Sequence, residues 1–165
     1  MSDEKIDPYA GLQDRLAKTA DEARPEAVAK RRARKGRTAR ENLADLTDGT
    51  AVSEYGQLAV AAQRTRRKGD ALFAETAADA VITAIGPVNA DLFASADSQT
   101  AMIINDYTVL AGTQGYFHHR KIDRLLGLAA EGGLPVLMYT EGGGGRPGDT
   151  DVLVSMAGLN VPTFH

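Results

Sequence analysis

The middle of the chain alternates between short apolar runs and residues that interrupt regular structure. Residues 80–85 (AVITAI) and 101–104 (AMII) are apolar and rich in β-branched side chains, and Pro87 and Asn89 stand between them. Brief runs of this composition between turn-forming residues are typical of strands. The pattern predicts two neighbouring strands, with the globular core starting near Ala78.

From residue 121 to residue 131 the spacing of apolar residues becomes helical. The positions i, i+3, i+4 and i+7 of one face are Ile122, Leu125, Leu126 and Ala129. The glycines at 132–133 end this helix, and residues 134–140 (LPVLMYT) predict a buried strand that runs into the glycine loop 141–149 (EGGGGRPGD). The order of strand, helix, strand and loop predicts an α/β fold, in which ligands bind beyond the carboxyl ends of strands.

The N-terminal part of the chain has a different character. Residues 1–37 are polar, charged and rich in alanine, and predict a peripheral helical arm. Thr38 and Glu41 then form a capping box, because each side chain can bind the backbone amide of the other residue. The short helix that follows carries Leu43 inward. We therefore predict a basic helical arm over residues 1–37 and a globular subdomain over residues 38–165.

The last residues of the chain are largely apolar and are not followed by residues that would end a helix or strand. Residues 152–159 are mostly apolar, and no capping or turn chemistry follows before residue 165. We expect a truncated reading frame, whose last apolar residues lack the elements that would cover them.

Composition narrows the classes of protein that the chain could represent. Its 165 residues include 19 basic and 22 acidic side chains, and the net charge of −3 argues against a dedicated nucleic-acid binder. The absence of cysteine excludes disulfides and thiolate metal sites. The N-terminus is acidic, and no apolar run approaches the roughly 20 residues that cross a bilayer. The prediction is a cytoplasmic protein that does not bind membranes.

The four glycines at 142–145 are the first candidate for chemistry. Consecutive glycine amides carry no shielding side chain and can converge on an oxygen that becomes negatively charged, as in an oxyanion hole. A flexible surface hairpin explains the same run equally well. A phosphate-binding P-loop is excluded because no Gly-Lys-Ser/Thr follows, and the spacing does not fit a dinucleotide-binding fingerprint.

Histidines and basic residues are weaker candidates. His119 and Asp123 have the i, i+4 spacing of two metal ligands, but a zinc site needs three or four, so a polar helix start explains them better. His118 has no acid partner that the sequence assigns for general-base catalysis. The basic clusters at 30–37 and 64–68 could contact phosphates, although charge runs more often face solvent or a neighbouring subunit.

Four segments form an ordered set of motifs. They are residues 36–43 (GRTARENL), 106–115 (DYTVLAGTQG), 118–122 (HHRKI) and 134–146 (LPVLMYTEGGGGR). In this order and spacing they resemble the N-terminal portion of the carboxyltransferase (beta) subunit of the biotin-dependent acyl-CoA carboxylases, which include acetyl-CoA and propionyl-CoA carboxylases. The matching family motifs are GKLTARERI, DFTVxGGSxG followed by HxxKI, and PVxxxxDSGGARI.

The resemblance implies a fold and an activity. The fold is a partial crotonase-like (ClpP/crotonase) one, built from ββα units. The activity is transfer of a carboxyl group from carboxybiotin to the α-carbon of an acyl-CoA through an enolate. Two holes lined by amides, one from each half of the subunit, stabilise the negative oxygens of the thioester and of the biotin ureido group.

The resemblance also implies site residues, a cofactor and partners. The paired glycines of the DSGG loop correspond to Gly143 and Gly144, whose amides would form an oxyanion hole. Neighbouring positions expected to bind substrate are Gly142, Gly145, Arg146, Gly112 and Gly115, and no metal or side-chain base is implied. The cofactor is biotin, carried as carboxybiotin on another chain or domain. The partners are acyl-CoA, a biotin carboxylase and biotin carrier, the C-terminal carboxyltransferase half, and further copies in a homo-oligomer.

Some positions depart from the family pattern, and two other functions stay open. Gly142 stands in place of the family's Ser, Gly145 in place of its Ala, and Ala111 in place of the first Gly of GGS, which indicates a divergent subgroup. Because the second half of the family sequence is absent, we expect no carboxyltransferase activity from this chain alone. The alternatives are a non-catalytic module that binds CoA or another anion, and a truncated pseudoenzyme or degraded product without a stable fold.

Overall fold

The computed structural model describes residues 7–152, and within them it contains five α-helices and four strands, besides short 3-10 turns. The helices are α1 (Pro8–Ala17), α2 (Pro25–Ala33), α3 (Ala39–Leu46), α4 (Asp70–Glu75) and α5 (Tyr116–Gly132). The strands are β1 (Ser53–Glu54), β2 (Val81–Pro87), β3 (Gln99–Asn105) and β4 (Val136–Tyr139). Both strands predicted in the middle of the chain are confirmed as β2 and β3.

The four strands form one sheet in the order β1-β2-β3-β4. β2 pairs with β1 and with β3 in antiparallel orientation, whereas β3 and β4 are parallel and joined by α5. Two antiparallel strands followed by a helix are one ββα unit, and the helix returns the chain for the parallel strand. The predicted α/β architecture is therefore confirmed.

Helices cover both faces of the β2–β3 pair. Val81 and Ile103 pack against Leu125 of α5 on one face, while Ile82 and Met102 pack with helix α3 on the other. Because successive strand residues point to opposite faces, burial on both sides requires apolar residues throughout, which explains the continuous runs. The prediction that the core starts near Ala78 is wrong, since α3 already contributes to it through Ala39 and Leu43.

The predicted helix and its end are confirmed, but the burial of the next strand is not. α5 begins at Tyr116, five residues before the predicted start at residue 121, and it ends where Gly133 adopts a left-handed conformation with φ of 61°. β4 was predicted to be buried, and this is wrong: Val136, Met138 and Tyr139 are 38%, 43% and 40% exposed. In the part of the chain that the structure describes, β4 lies at the edge of the sheet, beyond the core that α5 forms on β2 and β3.

The predicted arm contains the helices α1 and α2, and the division of the chain at residue 37 stays a prediction. α1 buries no residue, whereas α2 buries Val28, and Arg24 at its start forms an ion pair of 3.0 Å with Asp106. The capping box is present in both directions at the start of α3. Across residues 7–152, no helix is both long and apolar enough to cross a membrane. The apolar segment predicted at the end of the chain lies, beyond Val152, outside the described residues.

Candidate functional site

The glycine loop lies where two parallel strands end. β4 runs parallel to β3, and the loop begins two residues after β4 ends at Tyr139. The side-chain amide of Asn105, the last residue of β3, donates a hydrogen bond of 2.9 Å to the carbonyl oxygen of Glu141. The loop is thus held at the carboxyl edge of the sheet, which is where open α/β sheets bind ligands.

Gly112 and Gly142 pack backbone against backbone. Gly142 has a φ of 133°, and a β-carbon there would overlap the carbonyl oxygen of Gly112. A β-carbon at Gly112, whose φ is 64°, would lie only 2.6 Å from the carbonyl oxygen of Glu141. These two glycines therefore allow the loop to approach the segment around residue 112, and this contact favours a structural role over the predicted contact with substrate.

Gly143 and Gly144 form the exposed tip of the loop. Across residues 7–152, neither of their amides donates a hydrogen bond to another backbone group. The Gly144 carbonyl oxygen accepts a bond of 2.9 Å from the amide of Gln114, and the Arg146 amide donates one of 2.8 Å to the Gln114 carbonyl. The carbonyl side of the tip is therefore anchored, while two peptide N–H groups remain available to a ligand.

The tip is open to solvent. Residues 142–145 are all exposed, and a β-carbon added at Gly144 or Gly145 would meet no other atom of residues 7–152 within 4 Å. Four grooves formed by residues 7–152 are lined by other residues. The tip of the loop therefore lies outside these four grooves.

Arg146 points inward from the end of the loop. Its side chain is 6% exposed, its Nε donates to Asp149 at 2.8 Å, and its Nη1 donates to the Thr113 carbonyl at 3.0 Å. Its Nη2 donates both to Asp149 at 3.2 Å and to Asp79. A β-carbon on Gly115 would overlap this guanidinium, so glycine is needed there for Arg146 to pass. These contacts favour structural roles for Arg146 and Gly115 over the predicted contact with substrate.

The two carboxylates that hold Arg146 also bind the start of α5. Asp149 accepts a hydrogen bond of 2.7 Å from the Tyr116 amide, and Asp79 accepts one of 2.7 Å from the His118 amide. These are among the first amides of the helix, which have no partner inside it. α5 has no side-chain cap of its own at Gly115, so the acids complete its N-terminus.

Burial and pairing shift the pKa values of this cluster. Burial disfavours the charge on Arg146, but its bonds with Asp149 and Asp79 outweigh this and raise its pKa. Burial also opposes the charge on Asp149, yet the bonds from Arg146 and the Tyr116 amide lower the pKa of its carboxyl. Burial raises the pKa of Asp79 even though Arg146 favours its charged form. The pairing with Arg146 thus offsets much of the cost of burying two acids.

Asp79 and Asp149 were not identified from the sequence. Asp79 stands only two residues before β2 begins, and Asp149 closes the glycine loop, but neither position carries a motif that indicates a partner. Asp79 and Arg146 are 67 residues apart, and only the fold brings them together. The one available signal in the sequence is that Asp79 is an acidic residue placed directly before an apolar strand, where a carboxylate would be buried and would need a partner.

The histidines form no metal site in the described part of the chain. The His118 ring is fully buried, its Nδ1 lies 3.0 Å from the Asp79 carbonyl oxygen, and burial lowers its pKa to about 3. Among residues 7–152, no group of three or more His, Cys, Asp or Glu side chains is placed to hold a metal ion. His118 is therefore a neutral core residue of the junction between Asp79 and α5.

The first basic cluster borders the glycine loop. Arg31 binds Glu141 at 2.6 Å, and its guanidinium lies 5.2 Å from the ring centroid of Tyr107. Beside it is a groove of about 590 Å³ that Lys30, Arg31 and Arg34 line together with Tyr107. In the second cluster, Arg67 binds Glu75 at 2.6 Å. The first cluster thus combines a groove with cationic side chains next to the loop.

The comparisons with known proteins agree with this fold. No protein-family model and no curated protein matches the sequence. Among solved structures, a single-chain, multi-domain long-chain acyl-CoA carboxylase is 50% identical over 94% of this chain, with a TM-score of 0.84. The chain spans only 15% of the length of that protein.

Two further solved structures match less closely. The transcarboxylase 12S, a hexamer solved with methylmalonyl-CoA and methylmalonic acid bound, is 22% identical over 91% of the chain, with a TM-score of 0.69. The beta subunit of geranyl-CoA carboxylase from P. aeruginosa is 26% identical over 85% of the chain, with a TM-score of 0.59. The chain spans 28% and 23% of these proteins. It is thus related to part of the carboxyltransferase component of the acyl-CoA carboxylases and shares its crotonase-like fold.

Proposed function

We propose that this chain forms part of a carboxyltransferase that moves a carboxyl group from carboxybiotin to the α-carbon of an acyl-CoA. The observation that carries this proposal is the 50% identity with a long-chain acyl-CoA carboxylase over 94% of the chain. The motifs that suggested the family from the sequence lie between residues 36 and 146. By the same likeness, we propose that the acyl group is a long one.

The chemical task of the chain is to stabilise negative charge on an oxygen. Removal of the α-proton of a thioester places that charge on the thioester oxygen. Among residues 7–152 the Gly143 and Gly144 amides have no backbone partner, and neither glycine carries a side chain of its own that would shield them, which suits a donor pair for an oxyanion. Each such amide contributes about 2 to 4 kcal/mol of transition-state stabilisation.

Biotin would meet the same loop. Carboxybiotin, when bound, supplies the carboxyl group, and its ureido oxygen needs hydrogen-bond donors similar to those that a thioester oxygen needs. The two peptide N–H groups of Gly143 and Gly144 fit either oxygen, and the absence of a β-carbon lets a bulky ring approach. The loop therefore suits one of the two anionic oxygens, and the other would bind to a part of the protein outside this chain.

The cationic groove beside α2 suits the other end of the substrate. Lys30, Arg31 and Arg34 line it, and Arg31 links it directly to Glu141 at the start of the glycine loop. CoA carries three phosphate groups, and arginine and lysine are the side chains that bind phosphate best. We assign this groove to the phosphates of CoA.

The partners follow from the same proposal. A biotin carboxylase and a biotin carrier must deliver carboxybiotin, and the second half of the carboxyltransferase must supply the other oxyanion hole. We propose that the active form is a homo-oligomeric assembly of the longer protein and that it acts in the cytoplasm. The alternative is a module that binds CoA or another anion without chemistry.

The test is a carboxyl-transfer assay with the complete carboxylase that contains this chain, the carboxylated biotin carrier and acyl-CoAs from 2 to about 20 carbons. We expect carboxylated product, with long acyl chains favoured, and no product from the 165-residue chain alone. Binding of acyl-CoA to the complete assembly without product would support the non-catalytic alternative. The absence of both binding and product would contradict the proposed function.

A further inference from the structure

Arg146 connects the glycine loop to the first turn of α5 through two acids. Asp79 and Asp149 are 0% and 1% exposed in their side chains, and each binds both the Arg146 guanidinium and a helix amide. Gln63 adds a further bond of 3.0 Å to Asp149. A guanidinium held by a planar carboxylate at two points accepts only one orientation, so this junction fixes direction as well as distance.

The backbone around Asp79 indicates that the junction is strongly determined. Ala78, Asp79 and Ala80 have φ values of 51°, 49° and 62°, and residues other than glycine rarely adopt positive φ values. Such a run persists only where surrounding contacts hold it in place. Those contacts include Arg146 and the His118 amide on Asp79, and Lys121, whose Nζ donates to the Ala78 carbonyl at 2.8 Å.

The position of the loop tip depends on the same junction. Gln114 forms a parallel bridge with Gly145, and its amide donates to the Gly144 carbonyl. The next residue in the chain is Gly115, and the Arg146 guanidinium passes beside it. A shift of Arg146 would therefore move the loop on one side of the bridge and leave the α5 side where it is. It would also leave two buried carboxylates without their shared cation, which is costly.

We propose that Arg146 is a positioning residue whose guanidinium, clamped between Asp79 and Asp149, holds the Gly143 and Gly144 amides in fixed register against the first turn of α5. Arg146 itself does not touch the substrate. This proposal rests on the proposed function for its catalytic consequence, because only a carboxyltransferase needs the two amides at one defined place. Its structural part applies to the chain whatever reaction it serves.

The structural part is tested by amide hydrogen exchange in the full 165-residue chain. The reporter is the Gln114 amide, which binds the Gly144 carbonyl. We expect Arg146→Gln to speed exchange at Gln114 by about tenfold and to leave the Tyr55 amide, which binds Thr83 in the sheet, unchanged. Arg146→Lys should give a smaller increase in the exchange rate, because lysine keeps the charge but not the planar group that binds a carboxylate at two points.

Arg40→Gln is the matched control. Arg40 forms a part-buried, two-point ion pair with Glu54 between α3 and β1, away from the loop. The Arg40→Gln variant should change the rate of amide exchange near Tyr55 and not at Gln114. Equal acceleration of Gln114 exchange in both variants would show a general loss of stability and overturn the proposal, as would an unchanged Gln114 rate in Arg146→Gln. If Arg146→Gln does not fold, Arg146→Lys decides on the same reporter.

The catalytic part is tested in the complete carboxylase. We expect Arg146→Gln to lower kcat by about a hundredfold while KM for acyl-CoA changes less than about threefold, and Arg40→Gln to keep both constants. A fall in kcat that only mirrors a loss of folded protein, or a rise in KM alone, would overturn the positioning role. An unmodified carboxylase without activity would contradict the proposed function, while the exchange rates would still decide whether Arg146 positions the loop.

Discussion

The backbones of Gly112 and Gly142 pack so closely that a β-carbon on Gly142 would overlap the carbonyl oxygen of Gly112. Gly142 occupies the place of a serine in the family motif, and the segment around Gly112 also departs from it through Ala111. The two departures lie together in the fold. The contact shows why this loop carries a fourth glycine, since any side chain at residue 142 would have to displace the neighbouring segment.

Replacement of Gly142 should therefore destabilise the protein. We expect Gly142→Ala and Gly142→Ser to lower the free energy of unfolding by about 2 to 3 kcal/mol, because both add a β-carbon at a φ of 133° and against backbone. Gly145→Ala is the control and should change it by less than about 1 kcal/mol, since no atom lies within 4 Å of its β-carbon. The measurement is urea unfolding. A Gly142→Ser variant with an unchanged free energy of unfolding would mean that the loop can move away from Gly112.

A second prediction concerns the tip of the loop. Gly144→Val in the complete carboxylase should lower kcat by about 100-fold to 1,000-fold, because valine does not tolerate a φ of 80° and the tip must change its conformation. KM for acyl-CoA should change little if the amides act on the transition state. The measurement is steady-state carboxyl transfer.

Gly69→Val is a closely matched control for Gly144→Val. Gly69 is exposed and has a φ of 56°, and no atom of the described residues lies within 4 Å of an added β-carbon, so valine there also meets a positive φ in open space. It should keep the kcat of the unchanged enzyme. Equal losses of turnover in both variants, or equal losses in kcat and in CoA affinity at Gly144, would count against the oxyanion role.

The parts of the fold that the sequence predicts are those in which a local pattern reports burial. β2 and β3 are apolar along their whole length because helices cover both faces, and α5 shows its buried face in the spacing of Ile122 and Leu125. β4 has the same composition but lies at an edge, and composition alone does not distinguish an edge strand from a central one. Elements were therefore predicted more reliably than their environment.

The candidate site divides in the same way. The glycines at 143 and 144 follow a strand, and a local motif suffices to find them. The role of Arg146 depends on Asp79, which is 67 residues away in sequence and lies in a run of three residues with positive φ that local sequence does not predict. Contacts of this kind depend on the closed fold and carry no periodicity, so reasoning from sequence did not find them.

A third prediction concerns pH. Burial lowers the pKa of His118 to about 3 from an ordinary value of 6.5, so the folded protein keeps this ring neutral while the unfolded chain protonates it. The unfolded state therefore binds more protons between pH 6.5 and 3, and the stability from this group is lost as pH falls through that window. We expect a slope on the order of 1 kcal/mol per pH unit.

The variant His118→Asn should flatten this slope. Urea unfolding between about pH 4 and pH 7 measures it, and His119→Asn, which replaces the half-buried neighbouring imidazole, is the control and should keep it. Asn at 118 lowers stability at neutral pH, because it loses ring packing and the contact with the Asp79 carbonyl. An unchanged slope in His118→Asn would show that this ring is not the group that couples folding to pH.

The last prediction concerns the buried amine of Lys121. Its Nζ donates to the carbonyl oxygens of Ala78, the first of the three residues with positive φ, and of Val81, which follows them. Burial lowers the pKa of this amine to about 8. Lys121→Met should keep most of the packing of the stem but remove a donor from both carbonyls, of which that of Ala78 still accepts from the Val81 amide. We expect a loss of about 2 kcal/mol in the free energy of unfolding at neutral pH, even though the cost of burying a charge is removed. Lys68→Met, at an exposed lysine, should change the free energy of unfolding by less than about 0.5 kcal/mol.

The same amine makes stability depend on pH. Because the folded-state pKa of Lys121 is below its ordinary value of 10.5, the unchanged protein should gain stability from this group as pH rises from 8 to 10.5, and Lys121→Met should lose that gain. A methionine variant as stable as the unchanged protein would show that the segment around Asp79 holds its conformation without this amine, and that Arg146 and the first turn of α5 suffice.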